Sequence, residues 1–170
     1  MEVTIRRART TDVKGIRRLI DLYTIERRLL TKPTVALYED VPEFWVAVDG
    51  DTVVGCGALH VMWEDLAEVR TVAVDSRYRG HKIGYRIVDA LLAVARELGV
   101  AKVFCLTFET RFFGRFGFTE IDGAPVPPKV YEELLRSYDE GVAEFLDLER
   151  VKPNTLGNTR MLLRLTGAEA

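Results

Sequence analysis

Cysteine is nearly absent: two occur in 170 residues, Cys56 and Cys105, each inside an apolar run. That excludes a disulfide-stapled scaffold and fits small buried thiols in a reducing compartment. Histidine is as scarce, with two in the chain, and no Cys or His pair has metal-ligand spacing, so no metal site is expected. No apolar run approaches the roughly 20 residues a membrane span needs, so no membrane partner is expected. The first ten residues, MEVTIRRART, carry no apolar signal core, which points away from export and toward the cytoplasm. Basic excess is lacking too. The 24 Lys and Arg stand against 26 Asp and Glu, a net charge of −2, unlike a general nucleic-acid binder. Repeats and low-complexity linkers are missing, so one domain over 1–170 is expected. What is there is ordinary globular stock: 48% hydrophobic and 29% charged residues, enough to bury a core.

The hydrophobic period changes along the chain and sketches an order of elements. VTIRRA reads as a strand. TTDVKGIRRLIDLY follows, with Val13, Ile16, Ile20 and Tyr23 at helical spacing and Thr11 or Asp12 as the cap. A weaker helix is expected around TVALYEDV. EFWVAVDGDTVVGCGALHVMW then gives two strands joined at Asp49-Gly50, a hairpin signal, and AEVRTVAV completes a meander. IGYRIVDALLAVARELG is helical, with Ile83, Ile87, Ala90, Leu91 and Val94 on one face and Gly99 as its stop. VAKVFCLTF is a buried strand and TRFFGRFGF a short aromatic helix and turn. PPKVYEELLRSYDEG reads as helix, VAEFLDL is ambiguous, and TRMLLRL is a closing strand. A meander followed by a strand–helix–strand crossover makes a mixed α/β fold, with helices on both faces of the sheet.

One segment stands apart. VDSRYRGHKIGYR, residues 74–86, gathers Arg77, Arg79, Lys82 and Arg86 with Gly80 and Gly84 at the mouth of the long helix. A helix start leaves amide hydrogens unpaired and carries partial positive charge. With glycines for close approach and arginines for fixed charge, the combination suits a phosphate or pyrophosphate. Walker-loop and dinucleotide spacings do not fit it. Without further context, a solvated basic turn would read the same way.

The context is VRTVAVDSRYRGHKIGYRIVDALL, which closely resembles the acetyl-coenzyme A binding core of the GCN5-related N-acetyltransferase superfamily. There a strand ending V-A-V precedes a [QR]-x-x-G-x-[GA] loop at a helix start. The loop here is Arg79-Gly80-His81-Lys82-Ile83-Gly84, with Lys82 standing where the motif has its first glycine. EVRTVAV, VFCLTFET, RFFGRFGF, LLTKPT and NTRMLL are similar to segments of bacterial N-acetylglutamate synthases. The whole chain resembles a short, stand-alone, actinobacterial form of that family. The resemblance implies a mostly antiparallel central sheet with a β-α-β acetyl-CoA crossover. It also implies acetyl transfer from acetyl-CoA to the α-amine of L-glutamate, the first step of arginine biosynthesis, with L-glutamine as the alternative acceptor. A non-catalytic acetyl-CoA sensor is the rival reading, and a homodimer is possible.

The same resemblance assigns roles. Val72, Ala73, Val74, Arg79, Gly80, His81, Lys82, Ile83, Gly84 and Phe113 would contact acetyl-CoA. Glu68 is the candidate base, acting through water, with His60 and Glu109 as fallbacks. A strand carboxylate paired with Arg70 is the bland alternative for Glu68. The Val72 amide would face the developing oxyanion. Phe113 occupies the place where many superfamily members put a tyrosine acid. With a thiol pKa near 8.5, expelling thiolate at pH 7 costs only about 2 kcal/mol, so that acid is dispensable. Lys32, Arg70, Thr107 and Arg160 are the candidate substrate contacts, because a dicarboxylate needs cations. Arg111 is read as a surface charge.

Overall fold

The computed structural model describes residues 2–25, 32–146 and 158–165. The first residues of LLTKPT and the last of VAEFLDL lie outside the described residues.

Strand β1 (Val3–Arg7) is followed by helices α1 (Val13–Ile25) and α2 (Thr34–Glu39), then by the meander β2 (Phe44–Asp49), β3 (Thr52–Trp63) and β4 (Leu66–Val74). Helix α3 (Ile83–Leu98) crosses to β5 (Lys102–Thr107). Beyond it come α4 (Thr110–Gly114), β6 (Thr119–Glu120), α5 (Pro128–Leu134), α6 (Glu140–Phe145) and β7 (Thr159–Arg164). The strands form one sheet in the order β1-β2-β3-β4-β5-β7-β6. The pair β4–β5 is parallel and every other neighbouring pair antiparallel. This is the mixed, mostly antiparallel sheet with a β-α-β crossover expected from the sequence.

Alternation along the strands sends side chains to two cores. Val46, Val48, Cys56 and Ala58 pack under α1, whose Val13, Ile16, Leu19 and Ile20 are buried. Ala47, Val54, Leu59 and Val69 pack on the other face, against α3. The buried face of α3 keeps Ile83, Ile87 and Leu91 and adds Val88, Leu92 and Ala95, whereas Ala90 and Val94 sit at its margin. Gly99 ends the helix at φ +84°, and Val100 N–H donates back to Ala95 O at 2.9 Å. A third cluster, with Phe104, Phe145 and Leu162, joins the far strands to α5 and α6.

Three expectations change. Asp12 does not cap α1: a 3₁₀ turn (Thr10–Asp12) runs straight into that helix, and the carboxylate folds back. It accepts from Arg9 N–H at 2.7 Å and from Arg6 at 2.7 and 3.1 Å. Burial raises the Asp12 pKa, but the hydrogen bonds from Arg6 and from Arg9 N–H, together with the Arg6 and Arg9 charges, outweigh burial and leave it below the usual carboxylate value. PPKVYEELLRSYDEG is two helices rather than one, because α5 stops at Leu134 and Asp139 starts α6. The short β6, pairing Thr119 and Glu120 with β7, has too few residues for a period to reveal it.

The approach of α3 to the sheet depends on glycine. A Cβ at Gly57 would lie 2.8 Å from Ile87 Cγ2 and 3.1 Å from Leu91 Cδ1. Gly57→Val should therefore overpack this contact and cost about 1 to 3 kcal/mol. Thermal unfolding should show a drop of several degrees, and an unchanged midpoint would contradict the close packing described.

Candidate active site

The site begins where two parallel strands part. Pairing of β4 with β5 runs through Leu66–Lys102, Ala67–Val103 and Glu68–Phe104 and then ends. Just beyond, β4 bulges against β3: Arg70 faces Ala58 and Ala73 faces Cys56, so Thr71 and Val72 together oppose Gly57. Thr71 sits at φ +59°, a left-handed conformation that a β-branched residue rarely adopts. Strain of this kind persists only where the surroundings enforce it. Cys56 Sγ donates to Thr71 O at 3.4 Å, one of the contacts that hold the bulge. Burial pushes the Cys56 thiol up to about 12, so it is inert, and burial also raises Cys105.

Two cavities open on this gap and share Val69, Arg70, Thr71 and Leu106 as walls. One, of about 490 Å³, is bounded by Val72, Val74, Arg79, Gly84, Thr107 and Phe113. The basic turn stands at its rim. Not all of that charge is available. Arg77 is bound to Asp75 at 2.8 and 3.1 Å, which holds the Asp75 carboxyl well below its usual range, and Arg86 donates to Val3 O at 3.0 Å. Arg79 remains on the cavity, while His81 and Lys82 are exposed. Lys82 adopts φ +55° and ψ +27° immediately before α3. That explains why glycine suits this position, and it leaves the lysine side chain in solvent. Ile83 and Ala73 are core residues. Gly84 faces Phe112, and a Cβ there would meet the ring at 3.4 Å. A cavity that reaches from the parted strands to Arg79 and the start of α3 is placed to take an anionic group at that end.

Phe113 is buried among Phe112 and Phe118, with edge-on ring contacts at 5.0 and 5.4 Å, and brings no hydroxyl. Thr107 Oγ1 accepts from Glu109 N–H at 2.8 Å, and both residues bound this cavity. Arg111 is exposed and borders neither cavity.

The second cavity, of about 300 Å³, is the chemically dense one. Glu68 is buried on its wall and accepts from Arg70 Nε at 2.7 Å, so the candidate base and the ion pair are the same group. Burial lifts the Glu68 carboxyl above its usual range, and Arg70 pulls it back only in part. The two terminal nitrogens of Arg70 donate to Asp139 at 2.8 and 2.7 Å. Lys32 borders the same space, and burial, followed by the nearby Arg70 charge, lowers its pKa. His60 lies across the strand pair from Glu68, but it is bound to Glu43 at 2.8 Å and is absent from the cavity wall.

Arg160 is placed elsewhere than the sequence suggested. It is buried and lines neither cavity, lies 5.1 Å from the Phe104 ring, and donates to Gly123 O, Glu144 O and Phe145 O. The guanidinium therefore ties down the end of α6 rather than presenting itself to a substrate. Sequence reasoning missed Asp139, Glu144 and Asn158 on the cavity wall. Only Asp139 carried a signal, a helix-capping residue before EGVAEF; nothing in the periodicity marked the other two.

Two outcomes follow from this geometry. Gly84→Glu puts bulk and negative charge at the groove and should weaken acetyl-CoA binding well beyond tenfold, read by calorimetry on folded protein. Glu144 gives a pH signature. Burial and the Glu68 charge push its carboxyl from 4.5 up to about 7. A folded-state value above the unfolded one makes stability fall as pH rises from about 4.5 through 7. Glu144→Gln should melt with the wild type below pH 4.5 and increasingly above it through pH 7, gaining at most about 3 kcal/mol. A constant difference across that range would contradict the assignment.

Comparisons with known proteins agree with this geometry. The Acetyltransferase (GNAT) family model matches residues 14–118. An amino-acid acetyltransferase of Mycobacterium tuberculosis is 62% identical over 164 residues, covering 95% of this chain and 94% of that protein. A crystal structure from the same organism, in complex with CoA and NLQ, superposes with a TM-score of 0.91 at 61% identity, over 95% of this chain and 99% of that one. N-acetylglutamate synthase from Neisseria gonorrhoeae, complexed with coenzyme A and N-acetyl-glutamate, shares the fold alone. It has a TM-score of 0.76 at 21% identity, and the match covers 97% of this chain and 35% of that one. With the parted strands, the groove at the start of α3 and a relative so close over nearly its full length, the chain belongs to the GNAT family of acetyltransferases.

Proposed function

We propose that the chain transfers the acetyl group of acetyl-CoA to the α-amine of L-glutamate. The observation that carries this reading is the meeting of two cavities at the β4–β5 gap. One is shaped for coenzyme A and the other is a small, charged pocket beside a buried carboxylate. A thioester reaching through the gap would lie beside Thr71 and Val72, and the Val72 amide is the oxyanion donor in this reading. Glu68, directly or through water, accepts the proton that the ammonium must lose before attack. The names of the similar proteins, amino-acid acetyltransferase and N-acetylglutamate synthase, support the acceptor class.

A specific observation favours glutamine as a second reading. Among the described residues the pocket presents five carboxylates, Asp40, Glu68, Asp139, Glu140 and Glu144, against two cations, Lys32 and Arg70. Arg70 is already bound to Glu68 and Asp139, so among the described residues Lys32 is the cation left for a substrate carboxylate. Glutamine brings one carboxylate and glutamate two. Asn158 Oδ1, buried without a hydrogen-bond partner among the described residues, is an acceptor suited to a substrate N–H.

Thiol release from acetyl-CoA on adding either amino acid tests the proposal directly, and no release with any amino acid leaves only the sensor reading. Lys32→Ala should raise the KM of the preferred acceptor at least tenfold, the loss expected when a carboxylate loses its charged partner, with acetyl-CoA affinity nearly unchanged. An equal loss for both acceptors places Lys32 on the α-carboxylate; a loss confined to glutamate places it on the side chain.

A further inference from the structure

Asp139 lies outside the span matched by the family model, and its single carboxylate serves three partners. Its two oxygens take the terminal nitrogens of Arg70 at 2.8 and 2.7 Å. Oδ1 also accepts from Val142 N–H at 2.9 Å, capping α6. Oδ2 stands 3.8 Å from His60 Nε2. The first turn of α6 is thereby pressed onto the base: a Cβ at Gly141 would collide with Arg70 Nη2 and lie 2.9 Å from Glu68 Oε1. One side chain thus fixes both the wall of the acceptor pocket and the direction in which Arg70 points.

We propose that Asp139 is a positioning residue for acetyl transfer, holding both ends of the Arg70 fork so that Glu68 receives a single Nε–H bond and keeps its basicity. The inference rests on Glu68 being the base. A free guanidinium would pair with a carboxylate in fork-to-fork fashion, which would neutralise the base and turn it away from the pocket. Asp139 prevents this by occupying the fork itself, and its own negative charge offsets that of Arg70. The balance at Glu68 is visible in the groups that act on it. Arg70 on its own strand and His60 on β3 favour its ionised form. Asp139 opposes ionisation, and Glu144 on α6 and Cys105 on β5 feel the Glu68 charge in turn. Lys32, ahead of α2, adds a weaker attraction. Asp139 itself is raised by burial, but Arg70 outweighs burial and keeps it ionised, well below the usual carboxylate range.

The experiment is the pH profile of kcat/KM for thiol release from acetyl-CoA, compared among the full-length wild type, Asp139→Asn and Asp139→Ser. Asparagine and serine both cap helices, so α6 keeps its start while the charge and the second Arg70 contact are lost. The acid limb should move about one unit to lower pH, the size expected for one charge lost near a partly dry site. The plateau should fall by about threefold or more as the base weakens. In a Glu68→Gln background the Asp139 change should move the limb no further. If either folded variant lowers activity with the acid limb unmoved, Asp139 is only structural and the inference is overturned. If Glu68→Gln itself keeps the wild-type rate at neutral pH, it is the base assignment that fails, and the two failures are distinguished.

Discussion

Everything chemical in this molecule depends on the loss of pairing between β4 and β5 after Glu68 and Phe104. A fully paired parallel sheet satisfies its own amides and carbonyls and leaves no room between strands. The bulge at Thr71 and Val72, opposite the single Gly57, bends β4 away and creates a gap that neither β3 nor β5 can close. The cost is a threonine at φ +59°, on the order of 1 to 3 kcal/mol. That strain is sustained by the cores on both faces of the sheet, since β3 and β4 are buried over most of their length. Both cavities border the gap, so a shift in the bulge would alter the two together.

The two sides of the gap solve different electrostatic problems. The larger cavity, the proposed cofactor groove, would meet an anion at its rim, where solvent is near, with a helix start and the exposed Arg79. The acceptor pocket buries charges, and there each ion must be paired or neutralised. It does so with a chain of contacts, Glu68 to Arg70 to Asp139, in which every link has a partner within 2.8 Å. Glu144 is handled otherwise, through a carboxyl raised to about 7 that can be neutral when the pocket is dry.

How far this could be read from the sequence varies with the reach of the contacts. The meander, the crossover helix and the basic turn are local features with strong periods or glycine signals, and all are found in the structure. Local rules failed where a local residue answered to a distant one. Asp12 looked like a cap and instead binds Arg6 of β1. Arg160 looked available to a substrate because its strand ends near the site, yet backbone carbonyls of Gly123, Glu144 and Phe145 surround it. Such carbonyls carry no side-chain signature, so no spacing could have announced them. Conversely, the Glu68–Arg70 pair two residues apart on one strand was legible, whereas Asp139, 69 residues further along from Arg70, was not.

The placement of Arg160 and Asp139 also explains why the C-terminal region belongs to the site at all. Helix α6 has only six residues, too few to be stable alone. It is held at its start by Asp139, whose carboxylate joins it to Arg70, and at its end by Arg160, which gathers its final carbonyls. Phe145 adds a fully buried ring against Phe104, with centroids 5.0 Å apart. The wall of the acceptor pocket is therefore fastened to β4 and β7 by charge at both ends and by an aromatic contact to β5. These are the strands that flank and follow the gap. A short helix so anchored can carry Gly141 against Glu68 and Arg70 without a longer scaffold.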